Sequence, residues 1–227
     1  MCWNADISIN TFLFSCLALF FIYFTNTFTK YKSQGFDNPF MYLIIFSFIS
    51  MQLVEYFLWQ NLKNKEINMN LSIIGFVIIF IQPITLMLYD SYDSGNVIGF
   101  IQNFALYSLG FIGFLLYKYF YNPILFTTTI GVNKHLKWNW LYFTIYELIV
   151  YILLYFSYFT YSFFFLSKNI NDIFKYMFVI TALISKMLYS NTSEFGSVWC
   201  WVINSYLLIL VVNILIIKPF YEYNGVC

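Results

Sequence analysis

Seven stretches of about 20 mainly apolar residues, each long enough for one membrane crossing, run through this chain at 7–28, 39–61, 71–90, 97–119, 139–166, 171–190 and 198–218. Inside hydrocarbon only a helix or a closed barrel satisfies its own backbone, so runs of this length predict membrane helices. Charge points the same way. Only 9% of the 227 residues are charged, against about 25% in an ordinary soluble domain. That is too few to solvate a soluble surface, and 61% hydrophobic residues exclude a disordered chain. A formal net charge of +1 supplies no basic field, which excludes nucleic acid as a partner. The expected fold is an all-α, multi-pass integral membrane protein, a seven-transmembrane-helix bundle forming one domain over 1–227, with the lipid bilayer as its partner. The compartment stays open, a viral or host membrane included.

Turn and polar residues separate the runs. Lys30, Lys32, Gly35 and Asp37 fill the first gap, and Pro39 opens the second helix where a missing N–H costs least. Asp90 and Asp93 read as a solvated turn in the third gap. The fourth gap carries a β-branched run, a Gly131-Val-Asn133 break and a second short run, which predicts a short β-hairpin at the membrane surface within 123–138. Lys63, Lys65, Lys118, Lys134 and Lys137 fall on the N-terminal face; Lys30, Lys32, Lys168, Lys175 and Lys218 fall on the other. That balance leaves membrane orientation undecided. All the basic residues are Lys, so the planar guanidinium fork that clamps phosphates and carboxylates is absent. The four cysteines form no CxxC pair, and no metal site is predicted.

An odd number of crossings gathers particular polar residues on one face. Cys2 and Trp3 join His135, Glu194, Trp199 and Cys200 there. Counting from that face, Glu55 lies about 9 Å deep on helix two and Glu147 about 12 Å deep on helix five, with Gln82 near mid-membrane. Gln52, Glu55 and Trp59 share one helix face, as do Cys200 and Asn204, and as do Trp140, Thr144 and Glu147. Pro83 frees the carbonyl of Ile79. Carboxylates in hydrocarbon cost at least roughly 2.5–3.5 kcal/mol and normally face the bundle interior. The candidate pocket is therefore Cys2, Trp3, Gln52, Glu55, Gln82, His135, Glu147, Glu194, Trp199 and Cys200. Trp138, Trp140, Trp199 and Trp201 also suit an interfacial aromatic belt.

Several fragments carry a resemblance in chain order. They are Met1-Cys2-Trp3-Asn4-Ala5, Gln52-Leu-Val-Glu55, Phe80-Ile-Gln82-Pro83, His135-Leu-Lys-Trp138 and Asn191-Thr-Ser-Glu194 leading to Trp199-Cys200. Together the chain resembles an uncharacterised polytopic membrane family of bacteria and large DNA viruses, with a Met-Cys-Trp-Ser-Ala type start, Gln-Pro in helix three and Glu…Trp-Cys before the last helix. Asn4 stands where that family has Ser, and Gly196 where it has Pro. The resemblance implies a shared pocket on the N-terminal face and names no ligand.

Three functions remain. The first is a binding or transport bundle for a small molecule or ion, with Glu55 as its protonatable group. The second is a structural or envelope membrane protein without a ligand. The third is an intramembrane enzyme using Cys2, Glu55, His135 and Cys200. An enzyme is the less favoured reading, and no cofactor is specified.

Overall fold

A computed structural model describes residues 4–121, 123–161, 172–189 and 194–223. The chain is mostly helical. Its helices are α1 (Ala5–Phe28), α2 (Pro39–Gln60), α3 (Lys65–Ser94), α4 (Val97–Tyr121), α5 (Ile145–Thr160), α6 (Asp172–Leu188) and α7 (Phe195–Tyr223). The first four and α7 are long and apolar enough to cross a membrane; α5 and α6 are shorter over their described residues. Wider π-helical turns interrupt α5 at Ile152–Phe156 and α7 at Asn213–Ile217.

The helix ends follow from local chemistry. Asn4, Asn38 and Asn64 each turn a side-chain oxygen onto a backbone N–H of the first turn, satisfying donors that a helix start leaves open. The Asn64 cap, with Glu66 in the first turn, starts α3 six residues before its apolar run. At the other end α3 continues through Asp90 and Asp93 to a left-handed cap at Gly95 (φ 70°). The predicted solvated turn is therefore helix, and Asp90 is buried.

Between α4 and α5, strands β1 (Thr128–Ile130) and β2 (Leu136–Trp138) pair antiparallel, with Thr128 opposite Trp138 and Ile130 opposite Leu136. Asn68 of α3 acts as an extra strand partner. Its side chain accepts from Thr128 N at 2.8 Å and donates to Thr128 O at 3.0 Å. Ser72, one turn on, meets the Thr128 hydroxyl at 2.8 Å. Trp138 and Trp140 then turn inward and stack at 5.0 Å, both fully buried. The belt expectation fails for these two because the strand pair folds over the end of the bundle and directs their rings into the core.

The bundle has two distinct ends. The start of α3 and the strand pair share one. At the other, the α1–α2 connection meets the end of α3, where Asn38 donates to the Tyr89 carbonyl at 3.0 Å. The last two turns of α7 arrive there too: Glu222 pairs with Lys30 and accepts from the Tyr31 hydroxyl, and Lys218 donates to the Lys32 carbonyl. In sequence order α1 through α4 pack as neighbours, while α7 lies against α1, α2 and α6. The core between them is aromatic, with Phe76 and Phe80 of α3 touching Phe111, Phe114, Phe126, Trp140 and Tyr155.

Candidate functional site

Gln52 and Glu55 lie one turn apart on α2, and both are essentially inaccessible, at 0% and 1% exposure. Gln52 Nε2 donates to Glu55 Oε2 at 3.3 Å. On α7, Ser197 hydrogen-bonds the same carboxylate and the Cys200 thiol lies within its electrostatic reach. Asn204, one turn further, donates to the Cys200 carbonyl at 2.7 Å. Three acceptor oxygens in this group have no hydrogen-bond partner among the described residues: Glu55 Oε1, Gln52 Oε1 and Asn204 Oδ1. Buried polar atoms are nearly always partnered, so an unpartnered carboxylate oxygen at full burial marks a place for a proton, a cation or a donor ligand.

Gln82 belongs to the adjoining layer. Its Oε1 accepts from the Tyr155 hydroxyl at 2.7 Å. Pro83 interrupts the helical ladder here, and the Tyr107 hydroxyl donates to the Phe80 carbonyl at 2.8 Å, one residue beyond the carbonyl expected to be used. Tyr151, Tyr155, Phe159 and Phe178 stack in series, and Phe178 packs edge-on to Trp199 at 4.9 Å. Cys200 is within electrostatic reach of Tyr151 and Tyr155 as well as Glu55, so it sits between the two layers.

Glu194 and His135 have different neighbours. Glu194 is fully buried, and the loop between β1 and β2 wraps its carboxylate. Asn133 N and Nδ2 each donate to Oε1 at 3.4 Å, and His135 N donates to Oε2 at 3.3 Å. A side chain at Gly131 would collide with this carboxylate, so the close approach requires glycine. The carboxylate thus stitches the strand loop to the start of α7. The His135 ring lies edge-on to Tyr189 at 5.3 Å. Burial lowers its pKa below the ordinary 6.5, outweighing the attraction of the Glu194 carboxylate.

Glu147 corrects the reading of helix five. That helix begins at Ile145, and Asn139–Leu141 form a separate 3₁₀ turn, so Trp140 shares no helix face with Glu147. Thr144 N donates to Glu147 Oε2 at 2.8 Å and Glu147 N to the Thr144 hydroxyl at 3.3 Å, a reciprocal helix-start box. Glu147 therefore sits in the first turn, shallower than its expected depth. Its other oxygen pairs with Lys118 Nζ at 3.7 Å. Lys118, read in the sequence as a face lysine, is fully buried. Its ammonium donates to the carbonyls of Trp140 and Tyr142 at 3.1 and 3.0 Å, and lies 4.3 Å from the Phe143 ring centre. Those two carbonyls are drawn out of any helical ladder, which is why α5 starts late. A lone Lys near the end of an apolar run was the available signal.

Of the ten predicted residues, the structure joins Gln52, Glu55 and Cys200; Asn204, expected on the Cys200 face, accompanies them, and Ser197 is an unforeseen member. Gln82 and Trp199 stand in the adjoining aromatic layer. Glu147, and Glu194 with His135, take two other positions, while Cys2 and Trp3 lie outside the described residues. No group of His, Cys, Asp and Glu among the described residues is arranged to hold a metal. No family model, no curated protein and no solved structure matches this chain.

Two outcomes follow for the structural positions. Lys118→Met strands a carboxylate and two carbonyls, and should cost about 3–5 kcal/mol of unfolding free energy. Adding Glu147→Gln should recover part of that loss in denaturant titrations of detergent-solubilised protein. His135 is held neutral by the fold, so the unfolded chain takes up the proton more readily. Its contribution to stability is complete above about pH 6.5 and falls as the pH drops below that value. Thermal midpoints measured from about pH 7.5 down to about pH 5 should show this decline. The His135→Gln protein should show less of it.

Proposed function

We propose that this chain is an integral membrane protein crossing the bilayer seven times, and that it binds or transports a proton or small cation through Glu55. The five long apolar helices support the membrane reading. The apolar α5 and α6 supply the remaining two crossings. The strand pair is then a hairpin at one membrane surface, on the face shared by the start of α7.

The observation that carries the function is the Glu55 carboxylate. It is 1% exposed, held by Gln52 and Ser197, and retains one oxygen with no partner among the described residues. A carboxylate so placed is stable as the acid or as an anion neutralised by a bound cation, and exchange between the two is the elementary step of proton-coupled carriage. Gln52 and Asn204, each with an unpartnered carbonyl oxygen, supply further acceptors for a cation. In this reading the binding group is Gln52, Glu55, Ser197 and Cys200, with Gln82 and Trp199 in the adjoining layer. Glu147 and Glu194, whose carboxylates are taken up by Lys118, Thr144 and the strand loop, have architectural roles in this reading.

The test is flux in reconstituted liposomes carrying an internal pH-sensitive dye, driven by a potassium diffusion potential. Wild-type protein should acidify or alkalinise the lumen above the rate of empty liposomes. Glu55→Gln should return the rate to that of empty liposomes while the protein stays folded by circular dichroism. Wild-type protein without flux, or flux unchanged in Glu55→Gln, contradicts the proposal.

A further inference from the structure

On the outer surface of the bundle, a partly open cleft of about 260 Å³ lies between α4 and the first turns of α5. Phe114, Tyr117 and Tyr146 wall it with rings, and Glu147 is the charged group among its lining residues. Lys118 and Glu147 mark the end of the bundle that holds the strand pair. Gly110, eight residues before Lys118, lies about 12 Å further in. The cleft therefore runs from a carboxylate near that end to glycine and Val150 at depth. Its two glycines differ. A side chain at Gly110 would strike Leu154 Cδ2 at 2.5 Å, so this glycine lets α5 pack close. A Cβ at Gly113 would meet no atom within 4 Å. Gly113 thus carries glycine's cost in a helix interior with no contact among the described residues that requires it, and its missing side chain leaves the cleft open.

These walls suit one kind of ligand. The cleft is smaller than the usual range of about 300–1,000 Å³ for sites that enclose a soluble small molecule. With α4 and α5 in a bilayer it opens to lipid, and it can hold part of a lipid molecule. Glu147 accepts from Thr144 N at 2.8 Å and pairs with Lys118 at 3.7 Å, whereas a carboxylate has about four acceptor sites. Lys118 balances its charge, so a charged head group gains little here, while a neutral hydroxyl can still donate. The apolar body beyond that hydroxyl lies against rings and a glycine floor. A rigid fused-ring body loses less freedom in such a cleft than an acyl chain, whose many rotors would have to be ordered.

We propose that this cleft binds a sterol, with the sterol hydroxyl donating to Glu147 and the ring system lying against Gly113, Phe114 and Tyr117. The inference rests on the bilayer reading alone. It shares no residue with the Glu55 group, and either can fail without the other.

Photolabelling of the full-length protein in phosphatidylcholine nanodiscs tests it, with a diazirine-bearing cholesterol as the probe and peptide mass spectrometry as the readout. Label should concentrate on residues 110–117 and 146–150, and unlabelled cholesterol should displace it. Cholesterol 3-methyl ether keeps the ring system but has no O–H to donate, and should displace the probe about tenfold less well. Gly113→Leu fills the open space and removes a glycine from a helix interior, so it should lower labelling about tenfold at an unchanged or raised thermal midpoint. The methyl ether comparison is made on wild-type protein and holds whatever that variant does to folding. The proposal is overturned if label spreads evenly over the lipid-facing helices, if Gly113→Leu is labelled like wild type, or if the methyl ether displaces the probe as well as cholesterol does. Displacement by dioleoylglycerol equal to that by cholesterol would assign an acyl chain to the cleft and overturn the sterol.

Discussion

The paired hydrogen bonds between Asn68 and Thr128 seat the strand pair on which several other contacts of this protein depend. An amide side chain on α3 satisfies both the N–H and the carbonyl of one strand residue, at 2.8 and 3.0 Å, in a place where water cannot. That junction seats the strand pair on the start of α3. The chain leaving β2 then turns Trp138 and Trp140 inward and brings the Trp140 and Tyr142 carbonyls to Lys118. The loop between the strands, in turn, closes on Glu194 and so fixes where α7 begins. Four helices are thereby tied to one short ribbon.

The buried carboxylates divide according to how well they are partnered. Glu147 has an ammonium and a backbone N–H, and Glu194 has two backbone N–H groups and an amide. Both join elements of the fold. Glu55 has only an amide and a hydroxyl, and one of its oxygens faces no donor among the described residues. Under the proposed function, this shortfall at the third carboxylate is where a proton or cation binds.

Much of the frame was legible because the apolar runs and their caps are local signals. Pro39 behind Asn38 marks the start of α2, and the long apolar runs mark α1 and α4 closely. The late start of α5 was written as Thr144-x-x-Glu147, but the apolar run around it concealed that box. The polar first turns of α3 are helical because the strand pair covers Asn68 and Ser72, a contact 60 residues away in sequence for Asn68. Lys118 and the two stacked tryptophans were misread for the same reason. A tryptophan in a membrane interface and one beneath a folded loop have the same local sequence, and only the long-range packing separates them. Gln52, Glu55 and Cys200 were found by depth and helix face. Asn204 was placed on the Cys200 face by the same reasoning, and Ser197 needed only that argument carried one turn back.

In the proposed topology the chain threads the membrane an odd number of times, with the strand pair and the α2–α3 turn on one side and the end of α7 on the other. Single cysteines placed at the exposed positions Lys63, Val132, Ser94 and Tyr223, in a protein with its native cysteines replaced, test this directly by labelling sealed vesicles with an impermeant maleimide. The account predicts that Lys63→Cys and Val132→Cys react from one side, and Ser94→Cys and Tyr223→Cys only from the other. Lys63→Cys and Val132→Cys reacting from opposite sides, or Tyr223→Cys reacting together with Lys63→Cys, would contradict it.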